Sequence, residues 1–487
     1  MSNSTTKVQG CYINGEWTVP DPLNLIEVKN PANGSVIAVV PRGNQEDVNR
    51  AVNAAKEAFR SKEWRALEPQ QRGRLLFKAA EIIRENKEEL AKIETLNVGK
   101  PLKQSEVDVE VAARYFDFYA GIADKIMGET IPVQEGIINY TVREPIGIVG
   151  HVIPWNYPLQ IGARSIAVSL ATGNAAVLKP AEDTPLSILK LVELLEPLGF
   201  PKGILNVVTG YGHEAGAALS GHPDINHITF TGSVETGKRV MESAAKNIVP
   251  VTLELGGKSP NIVFDDCNVE NTLDWVLRSI VQNSGQTCSA GSRLVIQETI
   301  KKSFVKQLAK AMEKLTIGAG IDHPDLGPVL SKKQFEHIER FLTLAKEDGI
   351  PVATGGNWVT VDGCEEGYFL QPTILDDVPP EHLLAQEEIF GPVLTVSTFR
   401  TKEEAVQIAN GTPYGLVAGV WTEDVGRAHR VANQLECGQV FINHYGAGGG
   451  VAQPFGGHKK SGFGREKGLE AIQNYTQLKN VALRYSF

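Results

Sequence analysis

From residue 145 onward the chain alternates short apolar runs with helical stretches, and no other feature limits its fold as strongly. The run IGIVGHVI leads to Pro154. ARSIAVSLATG, NAAVLKP and LSILKLVELLEPLG follow, then GILNVVTG, HEAGAALSGH, INHITFTGS and ETGKRVMESAAK. Mostly apolar strands separated by helices are covered on both faces, which is the pattern of βαβ units in a parallel sheet. After PVTLELGG a second series opens, from SPNIVF to GQVFINH. The spacing predicts an α/β fold with two parallel-sheet domains and a boundary near Gly256–Lys258.

The flanks read differently. YINGEW and IEVKNPANGSVIAVVPRG are short strand-like runs cut by Asn-Gly turns. Asn44 is placed to cap a helix carrying Val48, Ala51, Val52, Ala55 and Phe59, and a second helix is predicted over Pro69–Asn97. GIINYTVREP alternates as an exposed hairpin strand does, and the tail YTQLKNVALRYSF reads as a strand that pairs outside its own domain. With 487 residues there is room for two or three domains. A formal charge of -9 without a basic patch argues against nucleic acid as a partner. No apolar run reaches membrane-spanning length. MSNSTTKVQG lacks the apolar core of a secretory leader. The five cysteines are odd in number and show no C-x-x-C pair, so neither zinc spacing nor a disulfide framework is visible. A reducing, cytoplasmic setting and no metal are expected.

Two motifs tempt. GYGHEAG places Gly210, Gly212 and Ala215 in dinucleotide-loop form after a strand, but no clear acidic residue follows at the usual distance. GGKS imitates the end of a phosphate loop, yet Thr252 stands where the required glycine should be. Cys288 is a separate matter. In NSGQTCSAGSR its neighbours are small or polar, which leaves the sulfur approachable, and a helix end or cationic ring nearby would lower its pKa. Cys267 and Cys437 suit the role of buried, inert hydrophobes. From this window alone, nucleophile and structural cysteine are equally open for Cys288.

The same segment resembles the active-site stretch of the NAD(P)-dependent aldehyde dehydrogenase superfamily. PWNYP, LKPAEDTP, FTGS, LELGGKSPNIV, EEIFGPV and PFGGHKKSGFGRE also resemble that family's signatures, in its order and at its spacing across nearly the whole chain. The resemblance implies an NAD(P)-binding domain from residues 1–124 and 146–256 and a catalytic domain over 257–455. It also implies a small oligomerisation β-unit from 125–145 and 470–487, hence a homodimer or homotetramer.

It further implies Cys288 as the nucleophile, adding to an aldehyde so that a hydride can leave and a thioester remain. Asn156, with the cysteine's own N–H, would hold the oxyanion. Glu254 would be the base for thioester hydrolysis. The cofactor, NAD with NADP possible, would meet Lys179 and Glu182 at the adenosine ribose, Gly212 and Gly216 at the adenine, and Gly232 and Ser233 at the pyrophosphate. Trp155 would line the cofactor, and Glu388 and Phe390 would meet the nicotinamide ribose.

Departures from the family pattern carry information too. Ser165 stands where many relatives carry a lysine linked to proton relay, so no relay role is expected there. Arg164 precedes it; either its fork meets a substrate carboxylate or hydroxyl, or it points to solvent or pairs with a helix carboxylate. Tyr157 could form one wall for a quaternary ammonium, but a cationic Arg164 would repel such a substrate. Apolar or aromatic aldehydes are therefore favoured over semialdehydes, aminoaldehydes or betaine aldehyde. NHYGAGGG is expected to line the substrate entrance. A cysteine thioesterase or hydrolase is the alternative of another class. It leaves Lys179 and Glu182 unexplained, and no histidine is an obvious partner for Cys288.

Overall fold

Ile148–Val152, buried through its first four residues, is the strand from which the first sheet is built outward in both directions. A computed structural model describes residues 7–8, 10–19, 21–446 and 450–485. On one side of Ile148–Val152 lie Ala175–Lys179 and then Leu205–Val207; on the other lie His227–Thr231 and then Val251–Glu254. All five are parallel, and the chain runs outward from the middle twice. The order therefore reverses between Ile148–Val152 and His227–Thr231, and a crevice at the strands' C-terminal ends is where α/β sheets bind ligands. Short antiparallel strands close this sheet at both edges. Tyr12–Ile13 and Glu16–Trp17 flank Leu205–Val207, and Gly462–Phe463 pairs with Leu253 and Glu254.

The second sheet runs Val352–Thr354, Thr373–Leu375, Val393–Phe399, Arg293–Gln297, Pro260–Val263, Val417–Trp421 and Gln439–Ile442. Only its first strand is antiparallel. The architecture is α/β, as the alternation predicts. A third sheet stands apart: Ile137–Pro145 pairs antiparallel with Thr476–Arg484 from the C-terminus, and Thr130–Ile131 lies on its other edge.

Local signals explain the helices. Asn44 caps Gln45–Arg60 by accepting the N–H groups of Glu46 and Asp47, and Val48, Ala51, Val52 and Ala55 are buried beneath it. The helix predicted over Pro69–Asn97 is two helices, Pro69–Glu85 and Lys87–Val98. They part at Asn86, whose amide donates back to the Ile82 carbonyl at 2.8 Å and ends the first helix. All five cysteines are free thiols, and Cys437 is half-buried where full burial was expected. Among the described residues, no helix is long and apolar enough to cross a membrane.

Candidate active site

The loop carrying Cys288 owes its shape to the polar residues before it. After the helix Val269–Val281 the backbone is left-handed at three successive positions, Asn283 (φ 48°), Ser284 (φ 53°) and Gly285 (φ 73°). A Cβ on Gly285 would lie 2.1 Å from the Gly391 carbonyl oxygen, so glycine is required there. Ser284 donates to the Gly327 carbonyl at 2.8 Å. The Gln286 side chain accepts the Leu330 N–H at 2.9 Å and donates to the Asn283 carbonyl at 3.1 Å. Thr287 Oγ1 meets the Tyr157 hydroxyl at 2.9 Å, and the Ser289 carbonyl accepts the Tyr445 hydroxyl at 2.8 Å. Cys288, half-buried, is thus held by anchored neighbours on both sides.

Asn156 follows the C-terminal end of Ile148–Val152 and reaches this loop directly. Its amide donates to the Gln286 carbonyl at 2.9 Å, and Asn283 donates to the Asn156 carbonyl at 3.0 Å. Glu254 ends the neighbouring part of the sheet and is 2% exposed. Neither of its carboxylate oxygens has a hydrogen-bond partner among the described residues. Burial holds this carboxyl well above the usual range; Arg164 pulls it down, Glu466 pushes it up, and Arg465 and Lys467 pull it down. The Cys288 thiol is pushed up to about 12 by burial and by Glu388 and Glu254, against the pull of Arg164 and Lys467. Here the carboxylates and the dry setting outweigh the cations.

Arg164 does not point to solvent; it is 4% exposed. Its Nε lies 3.0 Å from Glu466 Oε2, with side chains 5% and 1% exposed, and its NH2 donates to Thr231 Oγ1 at 3.4 Å. Its carboxylate comes from the C-terminal loop and not from a helix. Ser165 is buried beside it.

Trp155, Lys179, Gly232 and Ser233 lie at or just beyond the C-terminal ends of the first sheet's strands. Lys179 Nζ lies 2.7 Å from Glu182 Oε2, and the Gly212 N–H donates to Glu182 Oε1 at 3.4 Å. A Cβ on Gly216 would sit 3.8 Å from Lys179 Cδ, whereas one on Gly212 would meet nothing within 4 Å. Ser233 caps Val234–Ala245, and the Gly232 N–H donates to the Glu254 carbonyl at 3.0 Å. This helix start offers backbone donors to an anion. Phe390, itself at φ 56°, packs edge-on against Trp155 at 5.3 Å between centroids. Glu388 accepts the Gly257 N–H at 2.8 Å, and burial pushes its carboxyl up to about 7 against the pull of that bond and of Lys258. Two carboxylates for ribose hydroxyls, a helix start for phosphates and an aromatic wall fit a dinucleotide.

Several residues of this site escaped the sequence reading. Gln286, Asn283 and Tyr445 shape the cysteine loop. Glu466 lies inside a motif without a role assigned from the sequence. Lys467 is 4% exposed, with its ammonium 4.8 Å from the Phe455 ring centroid, and burial pushes it down to about 7. Of the expected entrance stretch Asn443–Gly450, residues 447–449 lie outside the described residues. Among the described residues, no group of three His, Cys, Asp or Glu could hold a metal ion.

Residues 17–481 match the profile of the aldehyde dehydrogenase family. An aldehyde dehydrogenase of Emericella nidulans is 43% identical, over 98% of this chain and 95% of its own. The betaine aldehyde dehydrogenase of Bacillus subtilis is 41% identical, over 97% of each. Among solved structures, a Burkholderia cenocepacia protein is 52% identical with a TM-score of 0.96, over 98% of this chain and 100% of that one. The NAD+ complex of an aldehyde dehydrogenase from Bacillus cereus is 42% identical with a TM-score of 0.96, over 99% and 97%.

Proposed function

Because the chain belongs to the aldehyde dehydrogenase family, we propose that it oxidises an aldehyde to a carboxylic acid with Cys288 as nucleophile and NAD as oxidant. The observation that carries this reading is Glu254: a buried carboxylate with two unpartnered oxygens, bearing electrostatically on the Cys288 thiol.

The chain's residues divide the work. The sulfur of Cys288 adds to the carbonyl carbon, and its proton passes to a base. The Asn156 amide, fixed through Gln286, and the Cys288 N–H hold the oxygen that becomes negative. NAD, when bound, supplies the hydride acceptor and a positively charged ring. Once the carbon is oxidised to a thioester, Glu254 takes a proton from water as its oxygen attacks. The raised proton affinity of Glu254 suits that step. Lys179, Glu182 and Gly212 would hold the adenosine end, with Gly216 against the adenine. The acceptor oxygens of Glu182 favour NAD over NADP, although Lys179 lies close enough to meet a 2′-phosphate.

For the substrate we favour apolar or aromatic aldehydes. The repulsion argument against cationic substrates loses its ground, since Glu466 neutralises Arg164. Another observation replaces it: the buried Lys100 ammonium lies 4.0 Å from the Tyr157 ring centroid, so one face of that ring already holds a cation. A second copy of this chain is the partner we propose, seated along Thr476–Arg484, and a reducing cytoplasm the setting for five free thiols.

Absorbance of reduced nicotinamide on mixing protein, NAD and a panel of aldehydes tests the reading. Wild type should turn over, Cys288→Ala should give no signal, and Glu254→Gln should give one burst and then stall. Turnover by Cys288→Ala would remove the mechanism.

A further inference from the structure

The motif GGKS is no phosphate loop, but it buries a charge that no step of the reaction uses. Lys258 is 2% exposed, and its Nζ has no hydrogen-bond partner among the described residues. An ammonium shut away in this manner costs stability unless an opposite charge stands near.

The turn that leads into Lys258 is pressed between two parts of the site. The Gly257 N–H donates to Glu388 Oε1 at 2.8 Å, and a Cβ on Gly256 would lie 2.4 Å from Glu388 Oε2. A Cβ on Gly257 would lie 2.5 Å from the Cys288 carbonyl oxygen. A side chain at either position would push away the carboxylate or the cysteine loop. Ser461 fixes the turn further by donating to the Gly256 carbonyl at 2.7 Å. Glu388 therefore rests on the two residues that precede the buried lysine.

We propose that Lys258 is the positioning residue for Glu388, the counter-charge that holds this carboxylate as a pure acceptor for the hydroxyls of the nicotinamide ribose. The inference rests on the proposed role of Glu388 at that ribose. An ionised carboxylate accepts through both oxygens, whereas a protonated one must donate through one of them. Burial favours the protonated form of Glu388; the Gly257 N–H and Lys258 oppose it, and Glu387 adds to it. The relation is mutual. Burial and Arg293 disfavour the charge on Lys258, and Glu388 and Glu387 favour it. Arg293 is the other cation at the turn, but three carbonyls occupy its guanidinium: Lys258 at 2.7 Å, Ile408 at 2.9 Å and Ala409 at 2.7 Å. The Lys258 ammonium has no such commitments, which leaves its charge to the carboxylate.

A double-mutant cycle on the full-length protein tests this. Binding of NAD and of ADP is measured by calorimetry on wild type, Lys258→Met, Glu388→Gln and the double variant, with a thermal melt of each. ADP lacks the second ribose and serves as the control for the rest of the crevice. Lys258→Met should weaken NAD by about tenfold, the usual weight of one charge-assisted contact, and leave ADP unchanged. In the Glu388→Gln background the same substitution should change NAD binding by less than about twofold, because the lysine then has no carboxylate to act on. If Lys258→Met does not melt as a folded protein, Lys258→Gln replaces it with the same expectations. Unchanged NAD binding, an equal loss in both backgrounds, or an equal loss of ADP overturns the proposal. NAD binding unmoved by Glu388→Gln would instead remove the ribose assignment, and the proposal with it.

Discussion

Glu254 illustrates how a side chain acquires a function that its residue type does not confer. A carboxylate at a strand end is ordinarily solvated or paired, but here both oxygens are shut away without a hydrogen bond among the described residues. Its proton affinity in the fold is raised, so the carboxylate needed as a base appears only as pH rises through that raised value. Turnover limited by thioester hydrolysis should accordingly climb with pH well above the ordinary carboxylate range. Rapid-mixing measurements across pH would separate that limb from the first burst. Asn156→Ala should lower kcat by about 10²–10³, the usual effect of removing one oxyanion donor; a KM change alone would place the amide outside the reaction. Cys288, Glu254 and Asn156 are singled out by the family resemblance of the motifs that hold them, not by local residue type. Lys467 and Gln286 are not, since their parts depend on neighbours far away in the chain. The raised thiol was out of reach for the same reason: Glu388, a hundred positions later, helps to raise it.

Loops and helices show a similar division. The left-handed run Asn283–Gly285 is encoded by residues suited to it, and Gly285→Ala should test how rigid the turn is. Its Cβ would collide with the Gly391 carbonyl at a backbone angle unfavourable for alanine. A loss of more than about 1 kcal/mol in chemical denaturation, together with lost activity, is expected. Behind the same loop, Lys100 is wholly enclosed between Glu94 at 3.2 Å and Asp108 at 2.6 Å, with Gln160 donating to Asp108 at 2.5 Å. Lys100→Met strands two buried carboxyls and should cost about 3–5 kcal/mol, read from urea unfolding. The strand-helix alternation was legible because period and length agree in every unit. The break at Asn86 was not, because apolar spacing continues across it while a single side-chain bond ends the helix.

At the scale of the molecule, the third sheet is unfinished. Thr476–Arg484 pairs on one side for nine residues with Ile137–Pro145 and forms the sheet's edge, and Ile138, Tyr140 and Leu483 are exposed on one face. A long edge strand with apolar flanks invites a second chain. Leu483→Lys combined with Ile138→Lys should shift the protein toward monomer in light scattering; unchanged mass would place the association elsewhere. The tail reads in the sequence as a strand that pairs outside its own domain, and only the family resemblance joins it to the hairpin segment where the structure pairs it. The C-terminal segment also has a consequence for how the enzyme behaves in dilute solution. From Gly462–Phe463 beside the base, through Glu466 on Arg164, to the Tyr475 carbonyl that accepts from Ile146 and Asn174, it runs without interruption into that outer strand. One tether thus ends at the base and at the surface where copies would meet. Dilution that separates the copies should slacken it, and hydrolysis should falter while the far-ultraviolet signal of the fold stays intact.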